Sequence, residues 1–172
     1  MNIFLIGYRG TGKTTLGKII SRERKMPFID LDELIVKTVG KAIPQIFSTE
    51  GEAKFREYET NALKEVCEKQ NQVISCGGGI VTREENITLL KKNGLVVLLK
   101  ASPETIFNRI YKDKNRPALT DKDPMEEIKH MLEVRRTAYE KAKDFEVWTD
   151  KEKAKRTAER IEEEMKKRLK LS

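Results

Sequence analysis

The chain has 172 residues, 38% hydrophobic and 37% charged, with a net charge of +7. That length fits one domain, spanning 1–172, with a single sizeable core, and no apolar run nears the ~18 residues of a membrane span. One histidine, His130, and two cysteines, Cys67 and Cys76, exclude a disulfide scaffold and a Cys/His zinc site, while the start Met1-Asn2-Ile3-Phe4 lacks the pattern of a secretory leader, so a cytoplasmic protein is expected. Ile3 to Ile6 is a continuous apolar run ending at a glycine, as in a buried parallel strand. A helix over about Gly12 to Arg24 follows, then a short strand, Pro27 to Asp30. Short helices over roughly 31–39 and 43–48 are broken by Gly40 and Pro44. Thr49-Glu50-Gly51-Glu52 has the spacing of a capping box and predicts a helix to about Lys69. Val73 to Ser75 reads as a third strand, stopped by Gly77-Gly78-Gly79, and Thr82 with Glu85 predicts another capped helix. Leu95 to Leu99 is an all-apolar, central strand, and Ser102-Pro103 opens the next helix with proline at its tolerated first position. Residues 113–123 are polar, carry Pro117 and read as a loop. Asp123-Pro124 opens a helix to about Lys143, and Glu146 to Trp148 is the last strand, with Trp148 expected to close the core beside it. His130 is expected on an exposed helix face, and both cysteines as small packing residues.

Strand–helix alternation of this kind implies an α/β fold, a parallel sheet covered by helices on both faces. The C-terminal segment carries nine Lys/Arg against five Asp/Glu over residues 151–172. Ala154, Ala158, Ile161, Met165 and Leu169 form an apolar stripe there, so the charges read as a solvated helix face. Aromatic residues are 6% and do not interleave with basic ones, which argues against nucleic acid as a partner.

Gly7-Tyr8-Arg9-Gly10-Thr11-Gly12-Lys13-Thr14 fits G-x-x-x-x-G-K-[ST], with a strand before it and a helix after it. Glycines there let backbone N–H groups turn around phosphate oxygens, Lys13 can reach the β- and γ-phosphates, and the Thr14 hydroxyl can ligate Mg²⁺. The third strand ends without the aspartate of switch-type NTPases; the acidic pair is Asp30-Leu31-Asp32 instead, after the second strand. Carboxylates at that place face the crevice where open α/β sheets bind ligands. One could hold Mg²⁺ through water and the other accept a proton from an attacking hydroxyl, or Asp32 could cap a helix beginning at Glu33. Arg135 lies on the apolar stripe Ile128, Leu132, Arg135, Tyr139, Ala142, where a charge needs a partner: an internal salt bridge or an anionic ligand. Arg56, with Glu52 and Glu59 beside it on its helix, reads either as a surface pair or as a second carboxylate clamp. The run Gly77-Gly78-Gly79 allows close ligand approach, or a sharp turn with positive φ. The stretch 109–123, with Arg109, Lys112, Lys114, Arg116 and Lys122, is either a lid over the phosphates or a plain exposed loop.

Together these residues resemble the shikimate kinase family over about residues 2–150: the P-loop Gly7 to Thr14, Asp30-x-Asp32, Phe55-Arg56-x-x-Glu59, Ser75-x-Gly77-Gly78-Gly79, Arg116-Pro117 and Arg135-x-x-x-Tyr139. The resemblance implies a three-layer α/β/α P-loop kinase fold with a central five-stranded parallel sheet in order 2-3-1-4-5, a substrate-binding helical region at about 31–62 and a lid at about 112–124. It implies transfer of the ATP γ-phosphoryl group to the 3-hydroxyl of shikimate, giving 3-phosphoshikimate and ADP on the route to chorismate and the aromatic amino acids. By the same resemblance Asp32 binds the hydroxyls and acts as base, Lys13 and Arg116 stabilise the phosphoryl group, Arg56, Arg135 and the Gly78 backbone hold the acceptor carboxylate, and Gly77 and Gly79 also belong to the acceptor site. Gly10, Thr11, Gly12, Lys13, Thr14, Thr15, Arg109 and Arg116 bind ATP, and Mg²⁺ sits at Thr14 and, through water, Asp30. Partners are then ATP and shikimate, with no membrane or nucleic acid, and the chain is a monomer. The sequence departs from the family at Ala118, where a leucine is frequent, and Arg9 adds a charge to the P-loop turn. A gluconate or nucleoside monophosphate kinase, or a nucleotide-dependent binding module, remain the competing readings.

Overall fold

The computed structural model describes residues 1–111 and 123–169. β1 (Asn2–Ile6) is buried along its whole length, as its unbroken apolar pattern requires. The P-loop leads into α1 (Lys13–Arg24), and β2 (Phe28–Asp30), α2 (Leu31–Val39) and α3 (Ile43–Cys67) follow. β3 (Val73–Ser75), a 3-10 turn (Ile80–Thr82) and α4 (Glu84–Asn93) come next, then β4 (Gly94–Lys100), α5 (Pro103–Tyr111), α6 (Pro124–Ala142), β5 (Phe145–Trp148) and α7 (Ala154–Leu169).

The five strands are all parallel, in the order β2-β3-β1-β4-β5. This is the order that the family resemblance implied. Helices cover both faces. Phe4, Ile6, Ile74, Val96 and Leu98 point to one face and pack with Leu31, Leu63, Ile80, Leu90 and Tyr139. Ile3, Leu5, Val73, Val97, Leu99, Phe145 and Val147 point to the other and pack on α1 and α7 through Leu16, Ile20, Ala158, Ile161 and Met165. The alternate direction of side chains along each strand produces this split. Three members of the α7 stripe, Ala158, Ile161 and Met165, are fully buried, in line with its periodicity; the Leu169 side chain lies outside the described residues.

Several local expectations are corrected. Helices expected at 43–48 and from Thr49 onward form one element kinked at Gly51, whose φ of 83° and ψ of 169° interrupt the helical path. The Thr49 capping box is absent: the Thr49 hydroxyl donates to Gln45 O at 2.8 Å, and Glu52 turns to Arg56. Thr82 caps nothing either, since its hydroxyl donates back to Gly79 O at 2.7 Å and α4 starts behind Arg83. By contrast, the Ser102 hydroxyl accepts from Thr105 N, and the Asp123 carboxylate accepts from Met125 N and Glu126 N, as those caps predict. Trp148 is 38% exposed rather than a core residue. It ends an edge strand, on the face opposite Phe145 and Val147, and Lys100 lies over its ring at 5.0 Å. His130 is exposed and Cys76 buried, as expected, while Cys67 is half-buried.

Candidate active site

The C-terminal ends of β1, β2 and β3 converge on one crevice, as the strand order dictates for an open parallel sheet. The P-loop lies at the end of β1. Gly10 and Gly12 take φ of 79° and 94°, a region that glycine enters without strain. Gly12 is also the N-cap of α1, so the loop's N–H groups and the helix end add their partial positive charges at one place. Lys13 Nζ folds back over the loop and donates to Gly7 O at 2.8 Å and Tyr8 O at 2.9 Å. The loop shape is held from inside by Thr11, whose buried hydroxyl donates to Tyr8 O at 2.7 Å.

Asp30, not Asp32, is the helix cap. Its Oδ1 accepts from Asp32 N at 3.1 Å, and its Oδ2 accepts from the Thr14 hydroxyl at 3.0 Å. α2 therefore begins at Leu31, and the Asp32 side chain is released from capping and faces the glycine run. Thr14 and Asp30 bring together the hard oxygen donors that Mg²⁺ prefers. Among the described residues no group of three or more His, Cys, Asp or Glu could hold a metal by itself, so an ion here needs phosphate oxygens and water as well.

The glycine run has a different cause from positive φ. None of Gly77, Gly78 and Gly79 takes a left-handed φ, and Gly79 sits at φ −98°. What the run supplies is room, and each glycine makes room for a different charged group. A Cβ on Gly77 would lie 2.5 Å from Glu59 Oε1 and 2.9 Å from Asp32 Oδ1. One on Gly78 would lie 3.4 Å from Arg135 Nη1, and one on Gly79 would sit 2.6 Å from Arg56 Nη2 and closer still to Nη1 and Cζ. Asp32, Arg56, Glu59 and Arg135 thus reach one small turn from α2, α3 and α6.

Arg56 is both of the things its spacing allowed. It pairs with Glu52 at 2.8 Å and with Glu59, yet its side chain is only 12% exposed and lies against Gly79. Arg135 donates from Nη1 to Gly78 O at 3.0 Å, its Nε is buried without a hydrogen-bond partner among the described residues, and its guanidinium stands 5.9 Å from the Tyr8 ring. Two guanidinium groups flanking one turn present the forked donors that a carboxylate matches.

Glu59 appears in the sequence motif without a role, and the structure supplies one. It is 1% exposed, it holds Arg56, and its Oε1 has no hydrogen-bond partner among the described residues. Burial pushes its carboxyl above the ordinary range, against the pull of Arg56. At Arg56 burial acts downward, but Glu59 and Glu52 outweigh it and the guanidinium is raised. The two directions are compatible because Glu59 is the more deeply buried partner. The sequence signal was Glu59 at three residues after Arg56, on the same helix face. Cys76 is buried, and desolvation holds its thiol well above its ordinary value, as for a packing residue.

Arg109, in the last turn of α5, donates to Gly10 O at 3.1 Å and to the Thr149 hydroxyl and carbonyl at 3.0 and 2.8 Å. With Gly12, Thr15, Leu16, Ala154 and Thr157 it lines a cavity of about 190 Å³ beside the P-loop. Thr149 and Thr157 carried no motif and were invisible in the sequence. Of the expected lid, Lys112, Lys114, Arg116, Pro117, Ala118 and Lys122 lie outside the described residues, whereas Asp123 and Pro124 belong to the start of α6.

A family model described as shikimate kinase matches residues 9–166. A shikimate kinase from Thermodesulfovibrio yellowstonii is 44% identical over 160 residues, covering 93% of this chain and 92% of that one. Among solved structures, a shikimate kinase from Acinetobacter baumannii in complex with shikimate matches with a TM-score of 0.92 at 34% identity, over 97% of this chain and 93% of the other. One from Aquifex aeolicus matches with a TM-score of 0.85 at 37% identity, over 98% of each chain.

Proposed function

The chain belongs to the shikimate kinase family, and on that premise we propose how its residues divide the work of phosphorylating the shikimate 3-hydroxyl. The observation that carries the division is the turn at Gly77 to Gly79, on which Asp32, Arg56 and Arg135 converge. Arg56 and Arg135 hold the acceptor carboxylate with paired hydrogen bonds, and the Gly78 backbone closes that cradle. Anchored there, the acceptor presents its hydroxyls to Asp32. Asp32 accepts the 3-hydroxyl proton as that oxygen bonds to the γ-phosphorus and the bond to the β-phosphate oxygen breaks. Glu59 keeps Arg56 aimed at the turn. The stretch 31–62, which supplies Asp32, Arg56 and Glu59, is the acceptor-binding region.

Gly10, Thr11, Gly12, Thr14 and Thr15 cradle the ATP phosphates with backbone N–H groups, and Lys13 exchanges its loop carbonyls for phosphate oxygens. Arg116 adds positive charge at the phosphoryl group, and Arg109 borders the nucleotide base at the cavity beside Gly12. Thr14 and, through water, Asp30 would hold Mg²⁺, which neutralises charge on the phosphate oxygens when bound. Among the described residues no helix is long and apolar enough to cross a membrane; the reading carries with it a cytoplasmic monomer whose partners are ATP and shikimate.

The test is a mass-spectrometric assay with Mg-ATP and shikimate, gluconate or AMP in parallel. A gain of one phosphoryl group on shikimate alone is expected. ADP formation without phosphorylated shikimate would overturn the acceptor assignment.

A further inference from the structure

Every carbonyl of the turn from Gly77 to Ile80 is tied down. Gly77 O accepts from Ile80 N at 3.1 Å, and Gly79 O accepts from Thr82 N at 3.0 Å and from the Thr82 hydroxyl at 2.7 Å. Ile80 O accepts from Asn86 Nδ2 at 3.0 Å. Gly78 O, at the middle of the turn, differs from the rest because both of its donors come from α6: Arg135 Nη1 at 3.0 Å and the Tyr139 hydroxyl at 2.6 Å. Arg135 and Tyr139 stand one helical turn apart, so they present side chains to the same point. Tyr139 is 4% exposed; its hydroxyl donates to Gly78 O and lies against the Arg135 guanidinium. Burial pushes that hydroxyl up to about 12, so it remains a donor across the physiological range.

We propose that Tyr139 is a positioning residue for the acceptor carboxylate: by holding Gly78 O it fixes the carbonyl on which Arg135 is anchored, and so sets the place of the Arg135 guanidinium. A carbonyl held by Arg135 alone would compete with the incoming carboxylate for the same N–H groups. With Tyr139 bonded to it, the carbonyl stays satisfied while Arg135 turns donors to the ligand. The cost of leaving a buried carbonyl unpaired is thereby avoided at the moment of binding. This rests on the acceptor reading above, since it needs a carboxylate at Arg135.

The test is Tyr139→Phe, which keeps the ring and removes the donor. KM for shikimate is expected to rise about tenfold, the equivalent of one lost hydrogen bond. The values of kcat and of KM for ATP should stay within about twofold, because nothing at the phosphates changes. With methyl shikimate, which has no anionic carboxylate, the variant and the wild type should have equal KM. An unchanged KM for shikimate, or an equal penalty with the methyl ester, overturns the proposal. Should the variant fail to fold, the wild type decides by NMR: the buried, hydrogen-bonded Tyr139 hydroxyl proton should be observed in the free enzyme and persist at saturating shikimate, and its absence from the free enzyme or its loss on binding overturns the proposal. A wild type inactive on shikimate would instead count against the acceptor reading itself.

Discussion

Gly79→Ala is the sharpest probe of the idea that the glycine run is there for space. At φ −98° and ψ 3° the backbone accepts an alanine, so strain does not enter. The added Cβ falls 2.6 Å from Arg56 Nη2 and nearer to Nη1 and Cζ. The guanidinium must retreat by more than about 1 Å to recover ordinary contact, in a site packed too closely to absorb it elsewhere. A retreat of that size breaks the 2.8 Å bond to Glu52 or the pairing with Glu59, because a bond stretched by about 1 Å passes the limit of useful geometry. Losing one charge-assisted bond costs about 1.5–3 kcal/mol, and the buried Glu59 carboxylate is then left poorly paired. If that loss falls on acceptor binding, KM for shikimate rises roughly 10- to 150-fold. Coupled ADP-release kinetics with shikimate as the varied substrate measure it, with KM for ATP as the control. A variant with a KM for shikimate within about threefold of wild type would refute the steric reasoning. It would mean that Arg56 is not held where the structure places it.

Arg135→Ala should leave the fold intact and weaken acceptor binding by about 2–4 kcal/mol, read by calorimetric titration of shikimate beside a thermal melt; unaltered affinity would remove Arg135 from the site. Glu59 sets a pH dependence. Its carboxyl is raised in the folded chain, so the native state holds that proton at a pH where the unfolded state has released it. This group's contribution to stability therefore falls as pH rises from the ordinary carboxylate range through the raised value. Compared with Glu59→Gln, urea unfolding of the wild type should gain stability as pH falls from neutral toward the ordinary carboxylate range. KM for shikimate should rise over the same descent in the wild type, as Arg56 loses its anionic partner, and the variant should lack that limb. Asp30→Asn should raise the Mg²⁺ concentration for half-maximal rate about tenfold, with KM for shikimate unchanged; an unchanged Mg²⁺ requirement would take Asp30 out of metal binding.

Local signals in the chain were strong wherever one residue or one short spacing decides the outcome. The apolar run of β1 requires burial on both faces, and it is buried throughout. Asp123-Pro124 and Ser102-Pro103 carry both a cap and the proline that a first helical position tolerates, and both helices start there. Thr49 and Thr82 had equally good cap spacing and failed. Each hydroxyl found a carbonyl within its own element, at Gln45 and Gly79, and spacing alone cannot rank such competing acceptors. Asp32 looked like a cap for the same reason, until the neighbouring Asp30 took that position.

The P-loop, the acidic pair, the two arginines and the glycine run could all be named from the chain, because each needs a particular residue type at a particular spacing. Their meeting could not. Asp32, Arg56 and Glu59 sit on the successive helices α2 and α3 and Arg135 on the distant α6, and only the parallel order β2-β3-β1-β4-β5 brings those helices to one turn. Sequence alone therefore determined the chemistry available to this protein: a phosphate cradle, a carboxylate base and paired guanidinium groups. Tertiary structure decided which group faces which. It showed that the glycines make room rather than bend, that Glu59 lies under Arg56, and that Tyr139 reaches Gly78. The approaches at the glycine run and at Gly78 are distances between residues with no local link, whereas Glu59 and Arg56 share a helix face and only their burial was hidden, because a chain's periodicity records only the neighbours along one element.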